Sequence, residues 1–121
     1  MSILNMLPSG GAPGIAFKSG VNVPYESASQ TETASCTTNM PTYVMVLCTR
    51  SNRNTSDNIS WTIKVDGETV FSFTASTGRM ASDYRVVKCG AGRTISVTCT
   101  TSTGYTGARS FFVATGTNSI S

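Results

Sequence analysis

The side chains able to do acid–base work here are six carboxylates: Glu26, Glu32, Asp57, Asp66, Glu68 and Asp83. The chain has no histidine. That removes the commonest general base and metal ligand and rules out a Ser-His-Asp or Cys-His centre within one chain. Two carboxylates suffice to hydrolyse a glycosidic bond, and such pairs meet only in the fold, so spacing alone does not decide the matter. Asp66 and Glu68 flank Gly67 and belong to a turn, and glycosidases usually need a larger cleft. No catalytic residue is assigned, and the chain is expected not to be an enzyme.

Cys36, Cys48, Cys89 and Cys99 have no Cys-x-x-Cys spacing, so no zinc site and no metal or other cofactor is expected. Two disulfides remain open as an alternative to four free thiols, and a reducing compartment favours the thiols. Cys48 has the strand parity of Val44 and Val46, and Cys99 that of Ile95 and Val97. Both read as small buried hydrophobes, close together if their strands face each other across a sandwich.

Net charge is only +3, and the basic residues are dispersed apart from Arg50 and Arg53. A nucleic-acid binder concentrates its charge on one face, so no nucleic-acid partner is expected. Among the aromatics, Trp61 shares parity with Ile59, Ile63 and Val65 and reads as core. Tyr105, between Gly104 and Thr106, is the better candidate for an exposed platform in a glycan-binding module. Phe111 and Phe112 are adjacent in a strand and point to opposite faces. One is core; the other, taken here as Phe112, is a possible surface contact.

The elements that hold these residues are strands. Ser and Thr make up 36 of 121 residues and charged residues only 12%, a composition of β-structure with many turns. Thr42–Thr49 is a continuous apolar run, which predicts a strand covered on both faces. Ile59, Trp61, Ile63 and Val65 alternate with polar residues, as a strand with one buried face does. Asp66-Gly67 predicts a two-residue hairpin with positive φ at both centres, and Glu68–Thr74 is its partner. Further strands are expected over 83–89, 93–101 and 108–115 and, at an edge, near Ile15–Lys18. Residues 26–35 are mostly polar, and 102–107 read as a loop.

The expectation is an all-β fold: a single antiparallel β-sandwich of about seven strands, immunoglobulin-like or jelly-roll-like, with an extended N-terminal arm. Trp61, Ile63, Val46, Ile95 and Val97 should share one core. The order Cys48, Trp61, Cys99 favours the immunoglobulin comparison, but Val97 stands where that family's corner tyrosine would be.

Residues 1–14 differ from the sandwich expected over 15–121. Ile3, Leu4, Met6 and Leu7 are apolar, and Pro8-Ser-Gly-Gly-Ala-Pro-Gly14 cannot propagate a helix or a central strand. Two readings stand: a frayed tail, or an arm in which Ile3, Leu4, Met6, Leu7 and Pro8 dock on a neighbour. Deleting residues 1–10 should then leave the sandwich folded and abolish assembly. The segment lacks the basic start and long apolar core of a secretory signal, and no apolar run approaches the ~20 residues of a membrane-spanning helix. Synthesis in the host cytoplasm and no membrane partner are therefore expected.

The opening Leu4-Asn-Met-Leu-Pro-Ser-Gly-Gly11 resembles the start of small virion-associated proteins of bacteriophages and prophages. The resemblance covers about the first 14 residues. It implies a structural role in a virion, as a capsid decoration, head-fibre or tail-appendage module. Its partners would be major capsid or tail proteins, or further copies of itself. The rival reading is a module that binds glycans or cell-surface protein.

Overall fold

The computed structural model describes residues 14–53, 59–76, 78–102 and 104–121. Its elements are all strands: β1 (Ile15–Ser27), β2 (Thr31–Thr37), β3 (Thr42–Asn52), β4 (Ile59–Val65), β5 (Glu68–Thr74), β6 (Met80–Cys89), β7 (Thr94–Thr101) and β8 (Tyr105–Thr115). They form two four-stranded antiparallel sheets. Sheet A has the order β1-β8-β3-β6 and sheet B the order β2-β7-β4-β5. Each strand of sheet A has a chain neighbour at the same place in sheet B, which is the winding of an eight-stranded jelly roll. Of the two topologies expected, this settles the jelly roll over the immunoglobulin order.

Among the described residues there are eight strands, against the about seven expected. The addition is β2, expected to be part of a polar stretch. Its inward residues Ala34 and Cys36 are small, so its alternation is faint, yet Cys36 is buried. The 102–107 loop is also shorter than expected, because β8 begins at Tyr105.

The core lies between the sheets. Val46, Trp61, Ile63, Ile95 and Val97 are all buried there, as expected. Trp61 pairs with Cys99 on β7 and with Phe73 on β5. Asp66 (φ 50°) and Gly67 (φ 83°) form the expected hairpin turn between β4 and β5. The carboxylate of Asp66 accepts from the Thr94 backbone N–H at 3.0 Å and pairs with Arg93 at 3.0 Å. These two partners, the Thr94 N–H first, hold its pKa below the ordinary carboxylate value.

All four cysteines are free and buried. Burial pushes the Cys48 and Cys99 thiols up to about 12, and Cys99 adds to the shift of Cys48 across the sandwich. The open side between the edge strands β5 and β6 is closed by Arg85. Its guanidinium lies 3.9 Å from the centroid of Phe73 and 6.0 Å from that of Phe71. Asp83 on the same strand accepts from the Ser76 backbone N–H at 2.9 Å, tying the crossover between the sheets.

Strand β1 is irregular. Its pairing with β8 shifts register between Ser19 and Asn22 and again between Val23 and Glu26. At the first shift the Val21 N–H donates to the buried Ser110 hydroxyl at 2.7 Å. Gly20 sits so close to that hydroxyl that a Cβ would lie 2.3 Å from it. The sequence therefore places glycine where the chain steps over Ser110, and the step re-aims the rest of β1.

Candidate functional site

The outer face of sheet A carries the candidate site. Its rows follow from the pairing. Phe17 stands opposite Val113, Val113 opposite Met45, and Met45 opposite Val86. The next row is Ser19, Phe111, Leu47 and Tyr84, and the one after it Asn22, Arg109, Thr49 and Ser82. Beyond that, Gly107 lies opposite Ser51, and Ser51 opposite Met80. One face of one sheet thus changes from apolar at the start of β1 to polar at its end.

At the polar end a trough of about 520 Å³ crosses all four strands. Gly107 makes its floor, because a side chain there would meet Tyr25: an added Cβ would lie 3.3 Å from the Tyr25 Cβ. Exposed Tyr25 walls one side and exposed Met80 the other, with Asn22, Thr49, Ser51, Ser82 and Arg109 between. Tyr105 backs Tyr25, ring centroids 5.7 Å apart, and the Arg53 guanidinium lies 5.3 Å from the Tyr105 ring. Arg50 at this end is buried and donates to the Ser76 carbonyl at 3.4 Å. The arrangement offers two aromatic rings, an amide, hydroxyls and a guanidinium on one shallow surface. That donor set suits recognition of a polyhydroxylated ligand, with rings for its apolar faces and polar groups for its hydroxyls.

The residues singled out in the sequence fall as follows. Tyr105 is 42% exposed and belongs to this cluster, on the first residue of a strand. Phe112 is corrected: it is 0% exposed, pairs with Lys18 and Val46, and points into the core. Phe111 is the outward ring, half-buried and stacked on Phe17 at 5.5 Å. The parity of β8, with Ala108, Ser110, Phe112 and Ala114 inward, settles which of the two faces the core. Ile3, Leu4, Met6, Leu7 and Pro8 lie outside the described residues, as does Asp57. The carboxylates are dispersed: Glu26 is on β1, Glu32 on β2 and Glu68 on β5, while Asp66 and Asp83 hold the contacts above. Among the described residues no three His, Cys, Asp or Glu side chains gather into a metal-binding group. Sequence reading missed Tyr25, Asn22 and Arg109. Only the pairing of β1 with β8 brings them together, and no local pattern records it.

No protein-family model and no curated protein matches this sequence. Solved structures share the fold. A family 35 carbohydrate-binding module from an environmental isolate is 15% identical with a TM-score of 0.51, and the match covers 93% of each chain. The CBM36-1 domain of a multidomain xylanase from the hindgut metagenome of Trinervitermes trinervoides is 16% identical with a TM-score of 0.51, covering 86% of this chain and 98% of that one. The CBM35 of Cellvibrio japonicus Abf62 is 9% identical with a TM-score of 0.53, covering 89% and 96%. At these identities the likeness is one of fold: a jelly-roll sandwich of the architecture found in carbohydrate-binding modules.

Proposed function

We propose that this chain is a non-enzymatic recognition module that takes a glycan into the trough across sheet A. The observation that carries this reading is the trough itself, lined by Tyr25, Asn22 and Arg109 on an open surface, with the Tyr105 ring packed behind Tyr25. Tyrosine rings cover the C–H faces of a sugar, and the amide and hydroxyls exchange hydrogen bonds with its hydroxyl groups. The exposed Arg109 guanidinium favours sugars bearing a carboxylate, which it can grip with two parallel hydrogen bonds. Low charge elsewhere and the shared fold with carbohydrate-binding modules support the reading. Titration calorimetry with acidic and neutral oligosaccharides tests it. Saturable binding is expected, weakened roughly tenfold or more by Tyr25→Ala or Arg109→Ala, the loss of one well-placed contact. Binding that ignores both substitutions, or no binding to any acidic oligosaccharide, would refute it.

A second reading concerns where the module acts. Residues 4–11 resemble the start of phage virion proteins, and we propose that Ile3, Leu4, Met6, Leu7 and Pro8 anchor the sandwich to a capsid or tail protein. The module then projects from the particle as a decoration, head-fibre or tail appendage, with no nucleic-acid or membrane partner. Electron microscopy of particles assembled with chain lacking residues 1–10 checks this: the appendage should be missing while the deleted chain still folds.

A further inference from the structure

The trough uses only the polar end of sheet A. The other end is a broad apolar surface that the glycan reading leaves unexplained. Its middle row, Phe17, Val113, Met45 and Val86, is flanked by the row holding Phe111, Leu47 and Tyr84 and by Ile15 and Tyr43. Phe17 is 60% exposed and Tyr84 61%. The continuous apolar run Thr42–Thr49 predicts cover on both faces of β3, yet Tyr43 on its outer face is 53% exposed. A strand that is apolar on both sides belongs inside a stack of layers.

We propose that this face is a self-complementary interface between two copies of the chain. Two observations point to a second copy. The first is charge. In an isologous contact each residue meets the same patch, so like charges near the axis would oppose pairing. The three apolar rows hold one charged residue, Lys88, at a corner on the edge strand β6, opposite Tyr43. Take a two-fold axis running across the strands through the middle row. It sets Lys88 of one copy against Tyr84 of the other, so the two ammonium groups do not meet.

The second is area. Strands lie about 4.8 Å apart and same-face residues about 6.8 Å along each strand, so three rows on four strands span roughly 400 Å² in projection. Two faces cover about 800 Å² in projection and more with side-chain relief, below the roughly 1,200–2,000 Å² of stable interfaces and in the range of weak, transient ones. The pair is therefore reversible and concentration-dependent. The same axis staggers the two copies. Each trough begins in the row next to the contact, one at each end of the pair.

Sedimentation equilibrium of the full chain over a concentration series tests the proposal. A monomer–dimer equilibrium is expected. Met45→Lys and Val86→Lys each bury an unpaired ammonium in the contact and should raise the dissociation constant roughly tenfold or more. Both point outward, so circular dichroism and Trp61 emission should be unchanged. Val86 is on an edge strand and serves if Met45→Lys misfolds. Full chain with Leu4→Lys and Leu7→Lys should pair as before. A monomer at every concentration would overturn the proposal, as would pairing indifferent to both face variants. So would pairing lost only with the Leu4/Leu7 variant, which would make residues 3–7 the occupant. Oligosaccharide binding is measured separately, so failure of pairing and failure of the glycan reading stay distinguishable.

Discussion

Outside sheet B, hydroxyl residues stand in ranks: Thr33 beside Thr98, Thr98 beside Thr62, and Thr62 beside Ser72, with Thr31, Thr100, Ser60 and Thr74 in the next rank. Outside sheet A, the corresponding ranks are Phe, Val, Met, Leu and Tyr. Both sheets feed the core, sheet B with Ile59, Trp61, Ile63, Ile95 and Val97 and sheet A with Val44, Val46 and Phe112, and the core touches neither outer face, so its demands do not explain the contrast. Thr keeps the β-branched shape that suits a pleated strand while turning a hydroxyl to water. A chain able to build one outer face this way had no folding reason to make the other sticky. On the proposals above, contact falls to sheet A and solvation to sheet B.

The sharpest way to break the comparison is at the two adjacent phenylalanines of β8. Phe112→Ala should cost about 3–5 kcal/mol in urea unfolding, the price of emptying a packed core site. Phe111→Ala removes an outward ring stacked on Phe17 and should cost about 0.5–1.5 kcal/mol. Equal effects would erase the distinction between the inner and outer ring, and a larger loss for Phe111→Ala would mean that the two faces are exchanged.

Next in size is the step in β1 that decides which of its residues join the outer face. Gly20→Ala forces a Cβ against Ser110 and should destabilise by about 1–3 kcal/mol. Ser110→Ala strands the buried Val21 N–H and should cost about 1–3 kcal/mol. The two share one contact, so the double variant should lose less than the sum. Strict additivity in chemical denaturation would show that the step does not depend on this contact.

A smaller effect is expected at the hairpin that sets the register of the hydroxyl ranks on β4 and β5. The Asp66 carboxyl has a depressed pKa in the fold. Its stabilisation is present above the unfolded value of about 3.8 and is lost as pH falls through the folded value. Asp66→Asn should flatten the acid limb of the stability–pH curve and leave the neutral and alkaline limbs parallel to the parent. An unchanged acid limb would sink this assignment.

The smallest effect belongs to the hydroxyl ranks themselves. Thr62→Val or Thr98→Val should move stability by no more than about 0.5 kcal/mol, although Thr98 shares a 2.8 Å hydrogen bond with Thr33. A larger loss in thermal melts would show that the ranks hold the sheet together rather than face water.

How much of this was legible in the sequence depends on how far apart the partners are. The Asp66-Gly67 turn and the alternation of β4 are local, and both are found where the residues put them. Trp61 follows from the same alternation. β2 was obscured because Ala34 and Cys36 are weak hydrophobes, and sheet pairing rather than propensity makes that segment a strand. Phe112 was misassigned because two adjacent rings carry no sign of which one is inward; the small partners Ala108, Ser110 and Ala114 supply it. Of the site, only Tyr105 was visible. Tyr25 and Asn22 reach it from the far end of the chain through β1–β8 pairing, and pairing across some eighty residues leaves no trace in a short window.

That same pairing governs when the protein can exist. β1 is the first strand described and β8 the last, and β8 lies between β1 and β3 in sheet A. During synthesis β1 has no partner among the described strands of its sheet until β8 has left the ribosome. Closing so long a loop before any ladder bond rewards it makes for slow folding. Meanwhile β3 and β6 can pair and wait with their apolar faces open on both sides. A nascent chain of this design is most prone to aggregate in the interval before Tyr105–Thr115 emerges, and its yield should depend more on elongation rate and chaperone supply than on the stability of the finished fold.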